Sequence, residues 1–108
     1  MSYINAADEF NDHTRDTGRA VTCAKLSFGD DSYAWIDAEV HTLKCGYSPS
    51  DFASFINGIS QEYDNGYGGQ SLFGTIWYSD GTWSSRGEYD GSEWWEHNKR
   101  PDIDEDLK

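Results

Sequence analysis

Apolar positions along the chain recur with two periods, and glycine, proline and aspartate mark where one gives way to the other. Over residues 2–13, Ile4, Ala7 and Phe10 repeat near helical spacing while Asp8, Glu9 and Asp12 fall on the other side, which predicts a short amphipathic helix ended by Gly18. Residues 20–28 and 33–43 carry β-type residues, Trp35, Ile36 and Val40 among them, on either side of the turn cluster Gly29-Asp30-Asp31-Ser32. An antiparallel hairpin is expected there. Ser48 can cap a second helix, Pro49 suits its first position, and Asp51 completes a capping box. Phe52, Phe55, Ile56, Ile59 and Tyr63 then follow at i, i+3, i+4, i+7 and i+11, predicting about four turns with Gly58 as the weak point. Residues 64–71, rich in glycine, read as a flexible connection.

Residues 72–78 and 82–89 flank Asp80-Gly81, a dipeptide favoured in two-residue type I′ turns. That turn pairs Tyr78 with Trp83, Ile76 with Ser85, Gly74 with Gly87 and Leu72 with Tyr89, gathering the large apolar groups on one face. Thr75 then lies opposite Arg86 on the other face, with Trp77 diagonal to it. A further strand over 93–97 can follow Asp90-Gly91 in two registers. A two-residue turn sets Glu88 against Glu93, an unfavourable like-charge pair, whereas a three-residue loop sets Arg86 against Glu96 and Trp95 over Gly87. The second register is expected. The order α-β-β-α-β-β-(β) predicts an α+β fold: an antiparallel four- or five-stranded sheet with an amphipathic helix packed on one face. Residues 1–98 form a single acidic domain on this reading, and residues 99–108 a flexible C-terminal tail.

Composition decides whether such a chain orders. Val, Ile, Leu and Phe together supply 17 of 108 residues. This is below the roughly 20% that, with high charge, usually signals disorder. The 5 Trp and 7 Tyr are the counterweight, since each buried aromatic removes ~150–250 Å² from water. An ordered, aromatic-cored domain is expected.

The formal charge is −12, from 20 acids and 8 bases. Residues 46–98 carry 8 acids and 1 base, a net −7. Such a domain repels nucleic acid and anionic membranes, so its partners should be basic protein surfaces. No stretch approaches the ~20 apolar residues of a membrane span. The N-terminus lacks a basic region followed by an apolar segment, so no secretory signal is read and a cytoplasmic location is expected. Cys23 and Cys45 form no Cys-x-x-Cys pair, and the first hairpin as read separates them by roughly 24 Å. Reduced thiols are expected.

His13, His41 and His97 lie in three different elements without metal-site spacing. Asp30-Asp31 and Asp102, Asp104, Glu105 and Asp106 lack the EF-hand pattern. A paired-carboxylate site of glycosidase type would have little chain to wall a cleft. No cofactor or metal is expected, and an enzyme is the least supported class.

Adjacent Trp94 and Trp95 on one strand must point to opposite faces, so one of them lies outside the core unless something covers it. Three readings stay open: a contact with a partner or second subunit, a cover formed by the tail, or a stacking platform for a sugar or base. Trp77, Arg86 and Trp95 could also stack on each other as a cation–π layer. Asp80, Glu88, Asp90, Glu93 and Glu96 surround these strands with Arg86 as the sole base. They either keep an aromatic-rich protein soluble or imitate the phosphates of a nucleic acid before a basic groove, with Trp77, Trp94 or Trp95 as apolar anchors.

The run Gly74-Thr75-Ile76-Trp77-Tyr78-Ser79-Asp80-Gly81-Thr82-Trp83, continuing through Arg86 and Glu88-Tyr89-Asp90-Gly91-Ser92-Glu93-Trp94-Trp95-Glu96-His97 to Pro101, resembles a C-terminal segment of small uncharacterised bacteriophage proteins. It covers about a third of the chain and brings no catalytic residues with it. In size and acidity the whole chain is also similar to phage anti-defence inhibitors of the anti-CRISPR and antirestriction classes. These resemblances imply a phage-type inhibitor acting in the host cytoplasm. Its partner site would comprise Trp77, Asp80, Glu88, Asp90, Glu93, Trp94, Trp95 and Glu96, set against a host CRISPR effector or restriction complex. The alternatives are a carbohydrate- or small-ligand-binding module using exposed tryptophans, and a structural or assembly protein, including a homodimer.

Overall fold

A computed structural model describes residues 3–28, 39–64, 71–89 and 92–100. Chain order is β1 (Tyr3–Asn5), α1 (Ala6–Thr17), β2 (Val21–Phe28), β3 (Glu39–Leu43), α2 (Pro49–Gly58), β4 (Glu62–Asp64), β5 (Leu72–Tyr78), β6 (Trp83–Tyr89) and β7 (Ser92–Asn98). A five-stranded antiparallel sheet has the order β3-β2-β5-β6-β7, and β1 pairs with β4 separately. The fold is α+β, with an amphipathic helix on one face of the sheet as the periodicity predicts. Among the described residues no helix is long and apolar enough to cross a membrane.

The first helix starts four residues later than expected. Tyr3–Asn5 is drawn into a strand by Glu62–Asp64, and Asn5 caps α1, its side chain accepting from the backbone N–H of Ala7 at 2.9 Å and of Asp8 at 3.2 Å. Gly18, at φ 67°, closes it in a left-handed turn. In α2 the capping box forms as written in the sequence, with the Asp51 N–H donating to Ser48 Oγ and the Ser48 N–H to Asp51 Oδ2, both at 3.1 Å. The helix is shorter than four turns. It stops at Gly58, whose added Cβ would lie 2.8 Å from His41 Nδ1, and Tyr63 is carried into β4 instead.

Phe10 of α1 meets Phe55 of α2 edge to face at 5.4 Å. Both helices cover one side of the sheet, over a core of Ala24, Leu26, Leu43, Leu72, Ile76, Tyr78 and Trp95, with Ile59 and Tyr63 beside them.

Three registers differ from those expected. In the first hairpin Ala24 pairs with Leu43 and Phe28 with Glu39. The expected turn and Trp35 and Ile36 lie outside the described residues. This pairing moves Cys45 six positions along β2, so the expected separation of the cysteines is overturned: Cys23 lies one step and Cys45 two steps beyond the Ala24–Leu43 pair, near enough for the Cys45 thiol to raise the pKa of Cys23. In the second hairpin Ile76 pairs with Ser84 and Trp77 with Trp83. Ser79-Asp80-Gly81 is a three-residue loop, with the Tyr78 N–H donating to the Thr82 carbonyl at 2.9 Å, the Gly81 N–H to the Tyr78 carbonyl at 3.2 Å, and Gly81 at φ 86°. One residue of slip sends every β6 side chain to the opposite face: Ser84 and Arg86 turn inward, Trp83 and Tyr89 outward. In the third, β7 takes the two-residue register, with Glu88 opposite Glu93 and Arg86 opposite Trp95. Glu93 tolerates this because its carboxylate accepts from the Ser71 and Leu72 N–H groups at 2.8 and 3.0 Å and from Arg86 Nη2 at 2.8 Å. Of the tail, residues 101–108 lie outside the described residues.

Candidate interaction face

The two faces of the sheet carry different chemistry. On the helix-covered face a chain of polar groups runs through the core. Ser84 is fully buried, and its Oγ lies 2.7 Å from His13 Nε2 and 2.7 Å from the Tyr78 hydroxyl. A serine beside a histidine can act as a nucleophile, yet this hydroxyl has no exposure and is shared with Tyr78. It satisfies buried donors and acceptors instead. His13 also stacks on Trp95, with ring centroids 6.1 Å apart.

Burial, the nearby His97 and Arg86 together hold His13 below its ordinary pKa, against a smaller opposing pull from Asp16. The folded state therefore favours neutral His13. Its stabilising contribution is present above pH ~6.5 and is lost as pH falls from there through the lowered folded value. The urea midpoint should drop between pH 7 and pH 5 in the wild type and drop less in His13→Gln. Parallel profiles would remove His13 as the cause.

Beside this chain, Arg86 sits between Glu9 and Glu93. Its Nη1 is 3.2 Å from Glu9 Oε1 and its Nη2 is 2.8 Å from Glu93 Oε1, with the guanidinium side chain only 2% exposed. Nη2 also donates to the Tyr63 hydroxyl at 2.8 Å, and Tyr63 in turn donates to Glu9. The guanidinium lies 4.9 Å from the Trp95 ring centroid and 5.7 Å from that of Tyr63. Of the expected Trp77–Arg86–Trp95 layer, only the Arg86–Trp95 stack forms, and it forms inside the core.

The other face carries neither helix. Thr42, Lys25, Thr75, Ser85 and Glu96 form one row across all five strands, and Cys23, Trp77, Trp83 and Asn98 form the next across four. Trp77 is 43% exposed, Trp94 37%, Tyr89 76% and Val40 51%. Four of the five exposed large apolar side chains among the described residues thus share this face; the other is Tyr3 of β1. Gly87 makes a seat for Trp94. A Cβ there would lie 2.6 Å from Trp94 Nε1, so the indole lies across β6, where its N–H donates to Glu96 Oε1 at 3.0 Å.

The expected partner residues therefore separate. Trp77, Trp94 and Glu96 come together on the helix-free face. Trp95, 7% exposed, and Glu93, 3% exposed, are withdrawn into the core by the β7 register. Glu88 is exposed at the end of β6 but belongs to the helix-side alternation. Asp80 sits at the β5–β6 turn, its carboxyl held down at about 2 by hydrogen bonds from Thr82 and by Arg19, whose Nε is 2.5 Å away. Asp90 lies outside the described residues. Trp83 and Tyr89 were expected in the core and join the face instead. The signal for them was the tripeptide Ser79-Asp80-Gly81, which suits a three-residue loop with glycine in its left-handed last position as well as it suits the shorter turn.

No group of three or more His, Cys, Asp and Glu side chains able to hold a metal occurs among the described residues. A cavity of about 390 Å³ between β3 and α2, lined by His41, Leu43, Lys44, Asp51 and Phe55 among others, contains none of the expected site residues. Compared with protein-family models, curated proteins and solved structures, the chain matches no family model, no curated protein and no solved structure.

Proposed function

We propose that the protein is a non-enzymatic binding module whose helix-free sheet face, centred on Trp77, Trp83 and Trp94, docks a basic surface of another protein. The observation that carries this reading is the concentration of exposed tryptophan and tyrosine among serine and threonine on one face of a rigid sheet. Trp and Tyr supply large contact area with a polar edge and dominate binding hot spots. The −12 charge selects the partner's sign and speeds encounter with it. Together with the phage-type segment, this favours an anti-defence inhibitor covering the nucleic-acid groove of a host CRISPR effector or restriction complex. Aromatic anchors supply its affinity, and Asp80, Glu88 and Glu96 contribute mainly steering.

Purified CRISPR effectors and restriction endonucleases, assayed for DNA cleavage with and without the protein, test this directly. Trp77→Ala and Trp94→Ala should each weaken inhibition by about 30-fold or more, the effect of losing a hot spot of ~2 kcal/mol. Glu88→Lys with Glu96→Lys should slow association and reduce its salt dependence. Absence of inhibition across the panel, or inhibition indifferent to both sets, overturns the reading. The seating of the half-exposed Trp94 against Gly87 favours one second reading, a sugar platform. A saturable change in tryptophan fluorescence on adding glycans, lost in Trp94→Ala, would establish that instead.

A further inference from the structure

The β2–β3 register sets Cys23 one step and Cys45 two steps beyond the Ala24–Leu43 pair, although 21 residues separate the cysteines in the chain. Ala24 pairs with Leu43, so the next steps outward bring Cys23 and the Lys44-Cys45 turn together on strands about 4.8 Å apart. Both sulfurs are free thiols, Cys23 half-buried in the row of Trp77 and Cys45 exposed on the turn that Gly46 completes at φ 80°. They are the two cysteines of the chain, and among the described residues neither belongs to a metal-binding group.

We propose that Cys23 and Cys45 form a dithiol site that a low-molecular-weight disulfide, such as oxidised glutathione, converts to an intramolecular disulfide tying β2 to the β3–α2 turn. Cys45 reacts first because its sulfur is open to solvent. Burial and the neighbouring Cys45 thiol hold the Cys23 thiol above its ordinary pKa, so it is the slower of the two toward an external disulfide and attacks second, within the chain. In the first step the Cys45 thiolate, its proton released to water, attacks one sulfur of the glutathione disulfide. The S–S bond breaks, a Cys45–glutathione mixed disulfide forms, and one glutathione thiolate leaves and takes up a proton. In the second, the Cys23 thiolate attacks Cys45 Sγ, the mixed disulfide breaks, and the second glutathione leaves likewise. Two protein thiols are oxidised by two electrons and one glutathione disulfide is reduced to two thiols. The bond closes a loop that contains residues 29–38, so the closed form should melt higher by on the order of 10 °C.

The test uses the folded, full-length chain, reduced and then incubated with oxidised glutathione without denaturant. The expected product is a monomer lighter by two hydrogens, with no titratable thiol and a peptide linked through Cys23 and Cys45. It should melt higher than the reduced protein. Cys23→Ser should instead retain glutathione on Cys45, and phenylarsine oxide should bridge the two thiols of the reduced protein one to one. Glutathione persisting on wild-type Cys45, disulfide-linked dimers, closure only in denaturant, or a closed form that melts lower than the reduced one each overturns the proposal.

Discussion

Arg86→Ala is expected to lower the unfolding free energy by about 3–5 kcal/mol, the cost of leaving buried charge without its partner. The guanidinium is 2% exposed, with Glu93 at 1% and Glu9 at 13%. Removing it leaves two carboxylates from α1 and β7 facing each other in the core, with the Ser71 and Leu72 N–H groups still on Glu93 and Tyr63 still donating to Glu9. It also removes the stack on Trp95, a packing loss beyond the charge. Burial and its bond to Glu9 push the Tyr63 phenol far above its ordinary pKa, so Tyr63 remains a donor throughout the neutral range and cannot replace the lost cation. Domains of this size are stable by about 5–15 kcal/mol, so this loss is a large share of the total. Arg86→Lys keeps the charge but loses the fork that spans Glu9, Glu93 and Tyr63, and should fall between. Arg86→Met combined with Glu9→Gln and Glu93→Gln should recover most of the loss, because replacing all the charges together removes the uncompensated ones. Urea unfolding of the four proteins decides the matter. A loss below about 1 kcal/mol in Arg86→Ala would mean that water reaches the cluster and the pairing contributes little.

Gly74→Ala should be nearly as damaging, at about 3 kcal/mol or more. Gly74 pairs with Leu26 at the centre of the sheet. Its φ of +154° is one that residues with a side chain rarely adopt, and an added Cβ would meet the Lys25 carbonyl oxygen at 2.4 Å and Leu26 Cα at 3.0 Å. Both are backbone atoms of β2, so no flexible side-chain end can swing away to make room. The pairing of β5 with β6 ends nearby, at Thr75 opposite Ser85, so the strand has little to lean on if β2 is pushed away. Gly81→Ala is the natural comparison: φ is +86° but no atom lies within 4 Å, so only the backbone cost of about 1 kcal/mol remains. Equal losses in the two variants, measured by the same urea midpoints, would show that contact with β2 is not what requires glycine at position 74.

The elements were legible wherever their signals are local. The capping box of Ser48 and Asp51, Pro49 behind it and the spacing of Phe52, Phe55 and Ile59 concern groups within two turns of one another, and α2 starts where they place it. The α+β class and the antiparallel strands followed from the same kind of signal. The candidate face was half legible: Trp77, Trp94 and Glu96 are on it, whereas Glu93 and Trp95 are inside and Trp83 and Tyr89 are outside. Trp83 and Tyr89 changed face, and the choice between Trp94 and Trp95 stayed open, for one reason: each strand of this region alternates cleanly but does not state its offset from the next.

By itself, then, the sequence determined the two helices and the strands of the five-stranded sheet in outline, though not the small β1–β4 pair, that the domain is strongly acidic, and that more aromatic rings are present than one small core needs. Tertiary structure alone decided which rings are left over and which cysteines meet. A strand's period of two makes registers one residue apart nearly equal in local energy, and a like-charge pair such as Glu88 and Glu93 argues against one of them only while their surroundings are unknown. Once α1 brings Glu9 and His13 over the sheet and β4 brings Tyr63, one register gives Arg86 Nη2, Ser84 and Glu93 their hydrogen-bond partners and sets Arg86 Nη1 against Glu9. Burying those groups without partners would cost several kcal/mol, more than any preference of a turn dipeptide. The core's need for hydrogen-bond partners thus sets the offset, and the offset places the tryptophans on the open face.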